Sequence, residues 1–126
     1  MKVEEVMNKA VAVDHNITLK DAAKLMSDKN IGSLIAVKGD KILGILTERD
    51  IMNNISNLGA KISTVMARKV ITIDKEEDID EAALLMTKNK IRRLPVVDDN
   101  RRLVGIITST DLIAHSEDIS EEFLFD

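Results

Sequence analysis

The amino-acid sequence predicts an α+β fold in which two β-α-β-β-α repeats pack as one pseudo-two-fold symmetric module. Two observations lead to this prediction. A phrase of the form Gly-apolar-apolar-Thr-x-x-Asp occurs at residues 44–50 and again at residues 105–111. Each phrase closes a run of about 60 residues in which matched apolar segments follow one another in the same order. Because one run of that length would have only a marginal core, the two copies are expected to pack together.

Each repeat begins with a β-branched strand, expected over residues 10–14 and 70–74, and continues through a polar turn into a helix. Two apolar strands follow, joined by hairpin turns at residues 38–41 and 98–101. A short helix then starts directly after the threonine of the repeated phrase. The first helix of each copy has apolar residues at positions i, i+3, i+4 and i+7. These residues are Leu19, Ala22, Ala23 and Met26 in one copy and Ile79, Ala82, Ala83 and Met86 in the other.

The repeat also sets the expected boundaries along the chain. The first repeat is assigned to residues 1–61 and the second to residues 62–115, and residues 116–126 form an acidic C-terminal tail. Each copy opens with a short apolar turn, in which Val6-Met7 matches Val65-Met66.

Composition restricts the class of protein. The 126 residues include 44% apolar and 32% charged side chains, which are values of a globular domain, and no apolar run reaches the roughly 18 residues of a membrane span. The N-terminus lacks the apolar region of a signal peptide, so a cytoplasmic location is expected. The absence of cysteine excludes disulfides and thiolate catalysis. The net charge of -4 argues against non-specific binding to nucleic acid.

The Thr-x-x-Asp part of the phrase has two interpretations. It resembles a capping box, and the helices that begin after Thr18 and Asp78 open with similar spacing. Alternatively, the hydroxyl and carboxylate bind a ligand, because glycine permits close backbone approach and a helix N-terminus attracts anions. The local spacing alone favours the cap, and the glycine and the open helix N-terminus shift the balance toward a ligand contact.

Catalysis is not predicted. His15 and His115 are the only histidines, and no known nucleophile, zinc or phosphate-loop phrase gives either one a partner. No metal site and no obligatory cofactor are expected. Three basic doublets, at residues 68–69, 92–93 and 101–102, leave open an alternative in which the chain is a nucleic-acid-binding or purely structural dimerisation module.

The order of these segments resembles that of tandem cystathionine-β-synthase (CBS) domains. The resemblance covers about residues 3–115 and rests on the matched units, on the twice-written phrase, and on Leu94-Pro95-Val96-Val97-Asp98 in the second copy. It implies a stand-alone regulatory module that binds adenosine derivatives in clefts between the repeats. The expected ligands are AMP, ADP or ATP, bound as by an energy sensor, and some members of the family bind S-adenosylmethionine or NAD-type ligands. The resemblance also implies a homodimer that passes ligand occupancy to an effector protein encoded separately.

The family pattern further implies that each cleft pairs a Thr-x-x-Asp phrase of one copy with strands of the other. One cleft would contain Thr47, Asp50, Ile71, Thr72, Arg92, Arg93 and Pro95. The second cleft would contain Thr108, Asp111, Val11, Ala12, Gly32, Ser33 and Ile35.

These two clefts are not expected to be equivalent. Arginine binds phosphate in a two-pronged, permanently charged geometry, so Arg92 and Arg93 would make the first cleft the better nucleotide site. Gly32 and Ser33 offer no cation at the corresponding place, so the second cleft is expected to be weaker or suited to a less charged ligand.

Overall fold

The computed structural model describes residues 1–118 of the chain, so most of the predicted acidic tail lies outside the described residues. Six strands, four α-helices and three single 3-10 turns follow one another in this part of the chain. The strands are β1 (Ala12–Asp14), β2 (Ser33–Lys38), β3 (Lys41–Thr47), β4 (Ile73–Asp74), β5 (Arg93–Val97) and β6 (Leu103–Thr108). The helices are α1 (Leu19–Lys29), α2 (Glu48–Met52), α3 (Ile79–Asn89) and α4 (Ser109–Ala114). The 3-10 turns are Val3–Glu5, Ile62–Thr64 and Ser116–Asp118.

The strands form two three-stranded sheets with the same topology. One sheet has the order β1-β2-β3 and the other has the order β4-β5-β6. In each sheet the first strand runs parallel to the second, and the second and third strands form an antiparallel hairpin. The predicted α+β class and the two β-α-β-β-α repeats are therefore confirmed.

The first strand of each repeat is shorter than expected. The sequence predicted strands over residues 10–14 and 70–74, whereas β1 begins at Ala12 and β4 at Ile73. The reason is where the chain joins the sheet, because residues form a ladder only where their backbone groups exchange hydrogen bonds with a partner strand. Pairing with β2 starts at Ala12, and pairing with β5 starts at Ile73.

The chain divides into two compact units. Residues 11–70 form the first unit, and residues 1–10 together with the residues from Ile71 onward form the second. A unit in space is therefore not the same as a repeat in the sequence. The N-terminal turn packs with the second repeat, and the matched turn at Ile62–Thr64 packs with the first.

Each unit has its own hydrophobic core between its sheet and its helices. The predicted apolar faces of α1 and α3 point into these cores, apart from Ala23, which is only partly buried. The fully buried residues of the first unit include Leu19, Leu34, Leu46 and Ile62, and those of the second include Val3, Ile79, Leu94 and Ile107. Within residues 1–118, no helix has the length and apolar character needed to cross a membrane.

The predicted caps of the first helix in each repeat are present. The hydroxyl Oγ1 of Thr18 accepts a hydrogen bond of 3.1 Å from the backbone N–H of Asp21. Oδ1 of Asp78 accepts one of 2.9 Å from the backbone N–H of Asp80. These bonds satisfy backbone donors that have no partner inside the helix, so they fix where α1 and α3 begin.

Candidate ligand-binding site

In the first unit, Thr47 and Asp50 meet at the junction of β3 and α2. The backbone N–H of Thr47 donates to Oδ2 of Asp50 at 2.9 Å, and the Thr47 hydroxyl donates to the same oxygen at 3.3 Å. Both side chains are half-buried. The hydroxyl and the carboxylate are thus held together at the start of the helix.

In the second unit, Thr108 and Asp111 form the same arrangement between β6 and α4. Oδ2 of Asp111 accepts hydrogen bonds of 2.8 Å from the backbone N–H and from the hydroxyl of Thr108. The backbone N–H of Asp111 lies 3.3 Å from the Thr108 hydroxyl oxygen, which completes the reciprocal capping box. The capping interpretation is therefore confirmed for both phrases.

A cap of this kind leaves part of the carboxylate available. Within residues 1–118, all the side-chain hydrogen bonds accepted by Asp50 and Asp111 go to Oδ2. An ionised carboxylate has two oxygens and about four acceptor sites, so Oδ1 keeps the capacity to accept hydrogen bonds from a ligand. The pair of hydroxyls on a ribose ring is a matching donor.

The glycine of each phrase has a structural role that the sequence analysis did not identify. A Cβ atom on Gly44 would lie 2.8 Å from the carbonyl oxygen of Ala67, and one on Gly105 would lie 2.9 Å from that of Asn8. Glycine thus lets another part of the same protein come close to the strand: the backbone after Met66 approaches Gly44, and the backbone after Met7 approaches Gly105. The glycines therefore no longer count as evidence for a ligand.

Gly32 and Ser33 lie beside the threonine of their own unit. Ser33 pairs with Thr47 in the β2–β3 ladder, and the backbone N–H of Glu48 donates to the Gly32 carbonyl at 3.2 Å. The first unit thus combines its hydroxyl and carboxylate with a strand end that bears no charged side chain.

Arg92 and Arg93 occupy the corresponding place in the second unit. Arg93 pairs with Thr108 in the β5–β6 ladder, and the backbone N–H of Ser109 donates to the Arg92 carbonyl at 2.8 Å. Arg92 is exposed and Arg93 is half-buried. The second unit therefore has two arginine residues at the strand end next to its Thr108/Asp111 pair.

The remaining predicted site residues lie on or beside the first two strands of each sheet. The backbone N–H of Ile35 donates to the Val11 carbonyl at 3.0 Å, and Ile35 pairs with Ala12. Ile71 and Thr72 directly precede β4 in the other unit, and Pro95 is fully buried on β5. Each predicted cleft takes its Thr/Asp pair from one unit and its other residues from the second, and the assignment of residues to clefts stays a prediction.

One polar contact at the site was missed by the sequence analysis. The side-chain amide of Asn8 donates to Oδ2 of Asp111 at 2.8 Å. Ala67 is the matched residue of the other repeat, because Met7 aligns with Met66. The sequence does show the difference behind this contact, since Asn8 in one repeat is matched by Ala67 in the other.

The second unit also contains a group of acidic side chains away from the Thr/Asp pair. Carboxylate oxygens of Asp74, Glu76 and Asp99 lie within 4.8 Å of one another, and two of the three side chains are exposed. Exposed acidic groups are common without a bound ion. This cluster therefore assigns no metal site.

Comparison with known proteins agrees with the fold and with the repeated phrase. Residues 3–57 and 62–118 each match the CBS domain family. The chain therefore belongs to this family and carries two copies of the domain.

Among curated relatives, uncharacterized protein MJ1232 of Methanocaldococcus jannaschii is 44% identical over 114 residues, which are 90% of this chain and 38% of that protein. Inosine-5'-monophosphate dehydrogenase of Thermoplasma acidophilum is 44% identical over 96 residues, which are 76% of this chain and 19% of the enzyme. The match thus spans less than half the length of either relative.

Among solved structures, the CBS domain pair of protein MJ0100 in complex with 5'-methylthioadenosine and S-adenosyl-L-methionine has a TM-score of 0.86 at 35% identity. The match covers 93% of this chain and 96% of that one. The same architecture is therefore found in a protein whose ligands both contain adenosine.

Proposed function

We propose that this chain is a regulatory module that binds an adenosine-containing small molecule and passes its occupancy to a partner protein. The observation that carries the proposal is the complex of the MJ0100 domain pair with 5'-methylthioadenosine and S-adenosyl-L-methionine, at 35% identity over nearly all of this chain. The Thr47/Asp50 and Thr108/Asp111 pairs supply a matching chemistry, because each presents a carboxylate oxygen with free acceptor capacity.

The preferred ligand in this proposal is an adenine nucleotide such as AMP, ADP or ATP. Its basis is Arg92 and Arg93, which would bind phosphate from the cleft that also contains Thr47 and Asp50. Neither ligand of the MJ0100 pair carries a phosphate group. These two compounds therefore represent a competing class of ligand, adenosine derivatives without phosphate. The cleft with Gly32 and Ser33 would suit this class better.

The proposed role is regulatory rather than catalytic. Part of inosine-5'-monophosphate dehydrogenase of T. acidophilum is 44% identical to this chain, which supports a module that works beside a separate functional domain. A ligand can shift the shape of such a module only by binding one arrangement better than another. Control of an effector by energy charge would follow if adenine nucleotides compete for the same cleft.

Homodimer formation is part of the same proposal. Each unit exposes a large apolar side chain on its last helix, since Met52 of α2 and Ile113 of α4 are both 67% accessible. Exposed apolar side chains of this size are the ones that a second copy of the chain would cover on association. Sedimentation of the wild type against Met52→Ser and Ile113→Ser variants tests the dimer, and a monomeric wild type would refute it.

Ligand binding is tested by thermal shift followed by calorimetry. The panel contains AMP, ADP, ATP, NAD, S-adenosylmethionine and 5'-methylthioadenosine. A ligand present at 100 times its Kd stabilises the folded state by about 2.7 kcal/mol, which raises the Tm by roughly 10 °C in a domain of this size. No shift with any compound would refute the proposal.

The nucleotide preference is tested with the double variant Arg92→Ala/Arg93→Ala. We expect AMP affinity to fall at least tenfold, because a charge-assisted, two-pronged contact is lost. Arg101→Ala/Arg102→Ala is the matched control, since it removes two arginines from the other end of the β5–β6 hairpin. Unchanged AMP affinity in the first double variant, with binding abolished by Asp111→Ala, would reverse the assignment of the two clefts.

The alternative of a nucleic-acid-binding module is tested by filter binding with RNA and DNA at physiological salt. The proposal expects protection by adenine nucleotides and little retention of polynucleotide. Strong retention that falls steeply with salt would favour the alternative, because it would report neutralised phosphates.

A further inference from the structure

The two Thr-x-x-Asp pairs differ in the number of donors on the aspartate. Oδ2 of Asp111 accepts three hydrogen bonds, two from Thr108 and one of 2.8 Å from the side-chain amide of Asn8. Oδ2 of Asp50 accepts two, both from Thr47, among the residues that the structure describes. The third donor is thus the difference between two otherwise matched carboxylates.

The backbone around this difference is the same in both units. Asn8 and Ile106 exchange two backbone hydrogen bonds, of 2.8 and 2.9 Å. Ala67 and Ile45 exchange two of 3.0 Å. Ile106 and Ile45 each directly follow the glycine of the repeated phrase. Residues 8 and 67 therefore start from equivalent positions, and only the side chain at position 8 can donate.

We propose that Asn8 is a positioning residue that fixes the carboxylate of Asp111 for recognition of ribose hydroxyls, and that Ala67 leaves Asp50 without this support. The inference rests on the proposed function, because it concerns how the aspartate holds an adenosine ligand. With Oδ2 saturated by three donors, rotation of the carboxylate would break a charge-assisted bond. Oδ1 is then presented to the ligand in one orientation, and less side-chain freedom is lost on binding.

The inference predicts selectivity as well as affinity. A carboxylate with a fixed orientation discriminates strongly between ribose and 2'-deoxyribose, because the deoxy sugar leaves an acceptor unpaired. A carboxylate that can rotate adapts to the missing hydroxyl and discriminates less. The ratio of the two Kd values is therefore a readout that a merely structural role of Asn8 would not change.

The experiment uses backgrounds in which one pair remains. In Asp50→Ala protein, which keeps the Asp111 pair, Asn8→Ala is expected to weaken 5'-methylthioadenosine and AMP about three- to tenfold and to reduce discrimination against their 2'-deoxy analogues. Asn8→Asp should weaken binding further, since it places a second carboxylate beside Asp111. Lys9→Ala, on the same segment, is the control. Asn8 is exposed and its bonds to Ile106 involve only the backbone, so these variants keep the fold.

The reciprocal variant installs the missing donor. In Asp111→Ala protein, which keeps the Asp50 pair, Ala67→Asn is expected to tighten binding about three- to tenfold and to increase discrimination against the deoxy analogues. Ala67 is exposed and can accommodate the longer side chain. A wild type that binds none of these compounds would overturn the proposed function and this inference with it. Wild-type binding with affinities and ratios unchanged or improved by Asn8→Ala would overturn this inference alone.

Discussion

Gly44 and Gly105 show how a single residue type is selected by a contact distant in sequence. Each lies one position before an isoleucine that pairs with an approaching turn, and each is buried. A side chain at either position would meet a backbone carbonyl, which cannot move away as the end of a flexible side chain can. The lack of a side chain at these two positions therefore allows the turn to pack against the third strand of each sheet.

This packing predicts the effect of adding one methyl group. We expect Gly44→Ala and Gly105→Ala each to lower the free energy of unfolding by about 1–3 kcal/mol, which is typical of overpacking. Urea denaturation measures the change. Gly59→Ala is the control, because a Cβ atom there would meet nothing within 4 Å. Equal stability of all three variants would contradict this role of the two glycines.

The hydrogen bonds of Asp98 predict a dependence of stability on pH. The backbone N–H groups of Arg102 and Asn100 each donate to its Oδ1 at 2.9 Å. These bonds, the one from Arg102 first, lower the pKa of Asp98 below its ordinary value of about 3.9. A lowered pKa in the folded state means that the contribution is present above about pH 4 and is lost as the pH falls further.

Acid denaturation of the wild type and of Asp98→Asn tests this contribution. We expect the wild type to lose stability more steeply than the variant below about pH 4, since asparagine does not titrate there. Asp40→Asn, in the matching hairpin turn, serves as the control. Parallel curves for the wild type and Asp98→Asn would show that the turn bonds do not favour the ionised form.

At the scale of elements, the long helices begin and end by different means. Their starts are capped by side chains that the sequence makes visible, Thr18 and Asp78. Both ends use a left-handed residue instead, with φ of 53° at Asn30 and 54° at Lys90. Asparagine tolerates this conformation, whereas lysine adopts it at a cost of about 1–2 kcal/mol.

The difference between the two ends predicts a stabilising substitution. We expect Lys90→Gly to raise the free energy of unfolding by about 0.5–1 kcal/mol, because glycine has no Cβ to resist a positive φ. Asn30→Gly is the matched control and should change stability less. Thermal unfolding compares the two, and a destabilised Lys90→Gly variant would show that the lysine side chain compensates for its strained backbone.

At the scale of the whole molecule, the sequence repeat and the packing unit do not coincide. Val3 is fully buried in the core that also contains Ile79, Leu94 and Ile107, all from the second repeat. Ile62 is its counterpart and is fully buried in the core of residues 11–70. The first turn of each sequence repeat thus completes the core of the other repeat's unit.

This arrangement predicts which half of the chain responds to a core truncation. Val3→Ala should cost about 2 kcal/mol and increase amide hydrogen exchange mainly in residues 71–118, although it lies at the start of the first repeat. Ile62→Ala should act mainly on residues 11–70. Exchange measured residue by residue distinguishes the two patterns, and the opposite pattern would contradict the assignment of the turns.

The sequence allowed prediction of much of the fold and of the centre of the site. Apolar periodicity identified α1 and α3, the turn residues identified both hairpins, and the spacing of Thr47 to Asp50 and of Thr108 to Asp111 identified both capping boxes. These features were predictable because the interacting residues lie within one turn of helix or one hairpin. The start of β1 and β4 was predicted less well, since it depends on where each segment comes within hydrogen-bonding distance of the partner strand.

The sequence alone determined the local chemistry of this protein: two copies of one unit, each ending in a hydroxyl and a carboxylate at the start of a short helix. Only the tertiary structure decided that the side-chain amide of Asn8 donates to Asp111, 103 positions away, and that Ala67 gives Asp50 no such bond. It also decided that the N-terminal turn completes the core of the second repeat. The physical reason is that helix, turn and cap energies arise between near neighbours, whereas these contacts depend on which distant segments fold against the same strand.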